Sequence, residues 1–153
     1  MGFFDKLKGA VNFVTGGGAK VSVEWQPALA FPGEPLSVRV TVVSTGGPIS
    51  ASGVFLDFAA HEQLNIPEGS LGNQNASINH TKQTLSQTVP LGGAFQLAPN
   101  ETKLFEGRVN IPQGQPTYDG PFADHDWGIR ARVEMSGNDP DSGFQKIIVG
   151  RRV

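Results

Sequence analysis

From Lys20 onward apolar side chains return at every second position, and this period constrains the fold more than any other feature of the 153-residue chain. Val21, Val23 and Trp25 alternate with polar neighbours, and Leu36, Val38, Val40 and Val42 repeat the pattern. Within residues 103–111, Phe105, Gly107, Val109 and Ile111 stand opposite Leu104, Glu106, Arg108 and Asn110. Trp127, Ile129, Ala131, Val133 and Met135 stand in the same way opposite Arg130, Arg132 and Glu134. Successive side chains of a strand point to opposite faces, so each run has one face to bury and one to wet.

Residues 49–60 read as a further strand, residues 84–90 as a weaker one, and residues 144–149 as the closing one. "FPGEP" at residues 31–35, Gly46-Gly47-Pro48 and "GNDPDSG" at residues 137–143 separate these runs with turn-forming residues. The polar stretch 62–83, which contains Pro67-Glu68-Gly69, is expected to be a long surface loop. Seven or eight short antiparallel strands, each apolar on one face, predict an all-β sandwich. The length suits one domain that buries a continuous core, and Trp25 and Trp127 are expected inside it.

The first residues follow a different period. Phe3, Phe4, Leu7, Val11 and Val14 fall near helical spacing, which predicts a short amphipathic helix. Gly16-Gly17-Gly18 ends it, because residues without side chains lose too much entropy to stay helical. The chain therefore divides into an amphipathic segment with its glycine hinge, residues 1–19, and a sandwich domain, residues 20–153. Met1-Gly2 begins like a myristoylation signal, but Lys6 stands where Ser or Thr is required. An isolated helix of this length is marginal in water, so Phe3, Phe4 and Leu7 are expected to dock on a protein partner, another copy or a membrane surface, the alternative being that the segment packs along the sandwich edge of its own chain. Lys6 and Lys8 add only weak peripheral attraction to anionic lipid.

Several function classes are excluded early. The chain has no cysteine, which removes disulfides, thiolate metal sites and a cysteine nucleophile. A formal net charge of -2 with scattered basic residues argues against nucleic acid as a partner. No apolar run approaches the roughly 20 residues of a spanning helix, and the N-terminus has no secretory h-region, so a cytoplasmic location is expected. The three Asn-x-Ser/Thr sequences beginning at Asn75, Asn79 and Asn100 then read as ordinary loop residues.

Asp124-His125-Asp126 is the most metal-like stretch, yet neighbours on a strand diverge, so His125 does not easily converge with both carboxylates. Asp139-Pro140-Asp141-Ser142-Gly143 resembles half of a calcium loop but lacks the later bidentate Glu. Neither a Gly-x-Ser-x-Gly elbow nor a phosphate loop is present. No cofactor and no enzymatic activity are expected. Tyr118 is expected to hydrogen-bond within its own turn, as tyrosine corners do. Arg130 and Arg132 lie side by side on the face opposite Trp127. They form either a pair of guanidinium groups for carboxylates or phosphates of a partner, or a solvated face paired with Glu134 or Glu106.

The stretches "FPGEPLSVRVTV", "ISASGVFLDF", "FEGRVNIPQGQPTYDGPFADHDWGIRARVEM" and "NDPDSGFQKIIV" together resemble the N-terminal lobe of arrestin-like proteins, a class that includes the bacterial sporulation-control family. The most specific part is a strand ending in Ile111-Pro112, the Pro116-Thr117-Tyr118 turn and the strand from Trp127; "MGFFDKLKGAV" is similar to that family's leader. The resemblance implies an immunoglobulin-like, non-catalytic sandwich in a bacterial protein. It would act as an adaptor or scaffold through protein-protein contact in regulation or assembly. The other function considered is a structural protein that self-associates into an oligomer or filament through β-edges and the N-terminal helix. The family has two such lobes and this chain has length for one, so no interlobe mechanism is carried over. Val38 also stands where the family often has Gly.

Overall fold

A computed structural model describes residues 18–153. The expected N-terminal helix, with Phe3, Phe4 and Leu7, lies outside the described residues. Ten strands follow in chain order: β1 (Ala19–Gln26), β2 (Leu29–Ala30), β3 (Pro35–Ser44), β4 (Ile49–Ile66), β5 (Ile78–Gly92), β6 (Phe95–Leu97), β7 (Thr102–Asn110), β8 (Tyr118–Asp119), β9 (Ala123–Met135) and β10 (Gln145–Val149).

They form two sheets. The smaller has the order β1-β3-β7, and the larger the order β2-β10-β9-β4-β5, with β6 pairing the start of β4 and β8 pairing the start of β9. Every pairing between named strands is antiparallel except β2 with β10. Register sets the core: Val23 lies beside Val40 and Trp25 beside Val38, while Phe58 lies beside Ile129 and Ala60 beside Trp127. Directly opposed residues share a face, so these positions point together between the sheets. Trp25 and Trp127 are buried in one apolar cluster with side chains of both sheets, as the alternation requires.

The "FPGEP" turn has a specific backbone reason. Glu34 N donates to Phe31 O at 3.0 Å, and Gly33, the residue after Pro32, has φ of 79°. This is the type II arrangement, where Pro presets the second residue and Gly supplies the positive φ that a side chain would oppose.

The stretch 62–83 is not a loop. β4 continues to Ile66 and β5 begins at Ile78, so a long hairpin replaces it, with residues 67–77 as its connection. β5 is the edge of the larger sheet and its side chains are exposed or only half-buried. Backbone pairing to β4 holds it; Leu85, Val89 and Leu91 pack on the core, but over residues 78–83 no buried face imposes an apolar alternation on the sequence. Register irregularities between Val54/Phe55 and between Ala60/His61 leave Leu91 and Thr84 as extra residues on β5. The short strands β2, β6 and β8 raise the count above seven or eight, and at two or three residues they carry no readable period. No helix among the described residues is long and apolar enough to cross a membrane.

Candidate functional site

Among the described residues, the outer face of the larger sheet gathers an organised set of charges around one carboxylate. Register places Arg130 of β9 opposite Asp57 of β4, and Asp57 opposite Thr88 of β5. Arg130 donates to Asp57 Oδ2 through Nε at 3.0 Å and Nη2 at 2.8 Å, and Arg132 Nε donates to the same oxygen at 3.1 Å. Thr88 Oγ1 donates to Asp57 Oδ1 at 2.6 Å. One carboxylate thus holds two guanidinium groups. The Asp57 side chain is 9% exposed, whereas those of Arg130 and Arg132 are 30% and 20% exposed.

Each cation also lies against an aromatic ring. Arg130 lies 4.6 Å from the centroid of Phe144, and Arg132 lies 5.1 Å from that of Phe55. Such contacts favour a planar guanidinium over a flexible ammonium. A shallow depression of about 470 Å³ adjoins the cluster, lined by Ala59, His61, Ser86, Thr88 and Phe144. Burial works to raise the Asp57 pKa, but hydrogen bonds from Arg132, Thr88 and Arg130 outweigh it and hold the carboxyl below its ordinary value. The same contact with Asp57 raises the Arg132 pKa against desolvation.

The partner of the arginines is therefore Asp57. Arg132 also approaches Glu134 at 3.8 Å and Asp139 at 3.6 Å. Glu106 sits on the smaller sheet and pairs with Arg39 at 3.2 Å. Asp57 lies 73 positions before Arg130, and only strand pairing brings them together. A signal was present in "GVFLDFAA", where a lone carboxylate interrupts an apolar run and requires a partner if it is buried.

The stretch around His125 serves packing. His125 is 1% exposed, with Nδ1 2.9 Å from Pro116 O and Nε2 2.7 Å from Thr84 Oγ1. A carbonyl only accepts, so Nδ1 donates its proton and, in the neutral ring, Nε2 accepts from the Thr84 hydroxyl. Tyr118 stacks on the imidazole at 5.7 Å, and Trp127 meets it edge-on at 6.5 Å. Asp126 pairs with Lys146 at 3.1 Å. Asp139 Oδ1 accepts from Met135 N, and Asp141 Oδ1 accepts from Gly143 N, so both shape their turn. Melting curves with a chelator and with added calcium or zinc are expected to coincide within about 5 °C. A larger shift would make Asp124, Asp126, Asp139 and Asp141 ligands after all.

Tyr118 departs from the expectation of a bond within its own turn. Its hydroxyl donates to Glu62 Oε2 at 2.8 Å across the edge of His125, and this bond raises the phenol pKa. The segment before it is pinned too: Trp127 Nε1 donates to Gln115 O at 2.7 Å. A Cβ on Gly114 would come within 2.8 Å of the Trp127 ring. Gly114→Ala is expected to cost about 1–3 kcal/mol by overpacking, which urea unfolding would measure.

No protein-family model and no curated protein sequence matches the chain. Among solved structures, the chain is similar to Spo0M, a sporulation control protein from Bacillus subtilis, with a TM-score of 0.63 and 18% identity. The match covers 89% of this chain and 51% of that protein, so the chain spans about half its length. A second match, to the Pseudomonas fluorescens alkylpurine DNA glycosylase AlkC bound to DNA containing an abasic site analog, has a TM-score of 0.45 and 16% identity. It covers 88% of this chain and 31% of that one, and at that score it carries no argument. The first match assigns a Spo0M-like, all-β fold.

Proposed function

We propose that the chain is a non-catalytic, arrestin-like adaptor of immunoglobulin-like sandwich architecture that docks a protein partner in regulation or assembly. The observation that carries this reading is the Arg130-Asp57-Arg132 cluster. Its two guanidinium groups are held by one carboxylate and two rings, yet both remain partly open to solvent on a flat sheet face. Guanidinium groups preorganised in this way recognise carboxylates or phosphates on a partner without further ordering of the side chains, and Glu134 and Asp139 beside Arg132 leave Arg130 as the main point of contact. Likeness in fold to a sporulation control protein fits a regulatory role of this class, and a bacterial, cytoplasmic setting is part of the same proposal.

Affinity capture from native cells tests the reading when wild type is compared with a Phe144→Ala, Lys146→Glu variant. Phe144 carries the Arg130 guanidinium and Lys146 pairs with Asp126, but both side chains are exposed, so the melting temperature should change little while the partner is lost. Identical recoveries from the two proteins would end this assignment of the docking face.

Phe3, Phe4 and Leu7 belong to the same proposal as a second contact. Removing residues 1–15 is expected to leave the melting temperature almost unchanged while weakening partner capture or binding to anionic vesicles. A steep loss of stability on truncation would instead make the segment part of the core.

A further inference from the structure

We propose that the free edge of β5 is an interface between two copies of this chain, paired antiparallel about a two-fold axis at Gln87. This goes beyond the docking role of the outer face, and it rests on different residues.

β5 closes the larger sheet on one side, with 15 residues and β4 as its strand neighbour. Toward its end Gly92 and Leu91 meet Phe105 and Gly107 of β7, but residues 78–89 have no strand beyond them. An edge of this kind presents alternate backbone N–H and C=O groups outward, ready to pair with another strand. Proteins usually blunt long edges with charge, proline or bulges. Here Lys82 is the strand's one Lys, Arg, Asp or Glu, and residues 83–100 contain none of them. The irregularities at Thr84 and Leu91 and the proline at position 90 confine the free edge to a regular, charge-free stretch, 85–89, in which every residue keeps its backbone N–H.

Within that stretch the chemistry is palindromic. Leu85-Ser86-Gln87-Thr88-Val89 reads apolar, hydroxyl, amide, hydroxyl, apolar in either direction. Antiparallel pairing about Gln87 sets Leu85 against Val89 of the second copy, Ser86 against Thr88, and Gln87 against itself. Opposed residues share a face, so apolar meets apolar and hydroxyl meets hydroxyl, with no charge opposed to charge. Leu85 and Val89 pack on the core but remain partly exposed, and the second copy completes their burial. A partner of different sequence would gain no such match on both sides of the axis. The contact is isologous and closes as a dimer. The opposite edge, β2, has two residues and offers no comparable template for growth of the larger sheet into a filament.

Absence of native cysteine makes the test direct. In the full chain, Gln87→Cys is expected to form a covalent dimer with a short bismaleimide, because the two thiols face each other at the axis. Thr81→Cys is expected not to, since its two copies lie about 40 Å apart at ~3.3 Å per residue. Light scattering should give a dimeric mass for wild type. Gln87→Lys and Gln87→Glu should each raise the dimer dissociation constant about tenfold or more by placing like charges at the axis, with unchanged melting of the monomer. The proposal is overturned by a monomeric wild type at its highest soluble concentration. It is overturned equally by dimer mass insensitive to both folded charge variants, or by equal cross-linking at Thr81→Cys and Gln87→Cys.

Discussion

Trp127→Ala is expected to cost about 3–5 kcal/mol of folding stability, a large share of the 5–15 kcal/mol typical of a domain. Four losses add together. The indole is 2% exposed in the centre of the core, so its removal leaves a cavity between the sheets. Gln115 O loses its hydrogen bond from the indole N–H, and Gly114 loses the ring on which it rests. His125 loses the edge-on contact that holds one side of its ring. Urea unfolding should show the midpoint fall with an unchanged m-value. Arg130→Ala is the comparison, because Arg132 and Thr88 remain on Asp57 and the loss should stay near about 1 kcal/mol. Equal losses from the two variants would mean that Trp127 does not lie on the buried face of β9.

Asp57→Ala should be the second most damaging substitution, at about 2–3 kcal/mol. It strands two guanidinium groups together, although their partial exposure keeps the loss below that of a fully buried pair. The pH dependence has a definite sign. The Asp57 pKa is lower in the folded chain than in the unfolded one, so its contribution is fully present above about pH 3.9, the unfolded value. That contribution disappears as pH falls through the lower, folded value. Asp57→Asn should therefore flatten the acid limb of the stability curve below about pH 4 while costing stability at pH 7. An acid limb identical to that of wild type would remove Asp57 from the groups that control acid unfolding.

The difference between Trp127 and Asp57 also shows where the sequence was readable. Alternation alone assigns Trp127, Ile129, Ala131 and Val133 to the core, because a strand that buries one face must repeat its apolar residues with a period of two. The "FPGEP" turn was readable for an equally local reason, since Pro32 and Gly33 satisfy the dihedral needs of one turn type. β5 was not readable beyond residues 84–90. Residues 78–83 of this edge strand have exposed side chains and no apolar face to maintain, so their polar sequence resembles a loop. Backbone hydrogen bonding to β4 defines it, and side-chain patterning carries no trace of that pairing.

The candidate site divides along the same line. By itself the sequence determined that Arg130 and Arg132 share the solvent side of a strand opposite Trp127, because side-chain direction follows from a period of two. It determined equally that Asp124, His125 and Asp126 diverge. Only the tertiary structure decided that Asp57 binds both arginines, that Thr84 and Pro116 enclose His125, and that Tyr118 reaches Glu62. Those partners come from other strands or from the segment before β8, and strand order and register between distant segments bring them together. Local alternation chooses which face a residue occupies; the pairing of strands far apart in the chain chooses its neighbours.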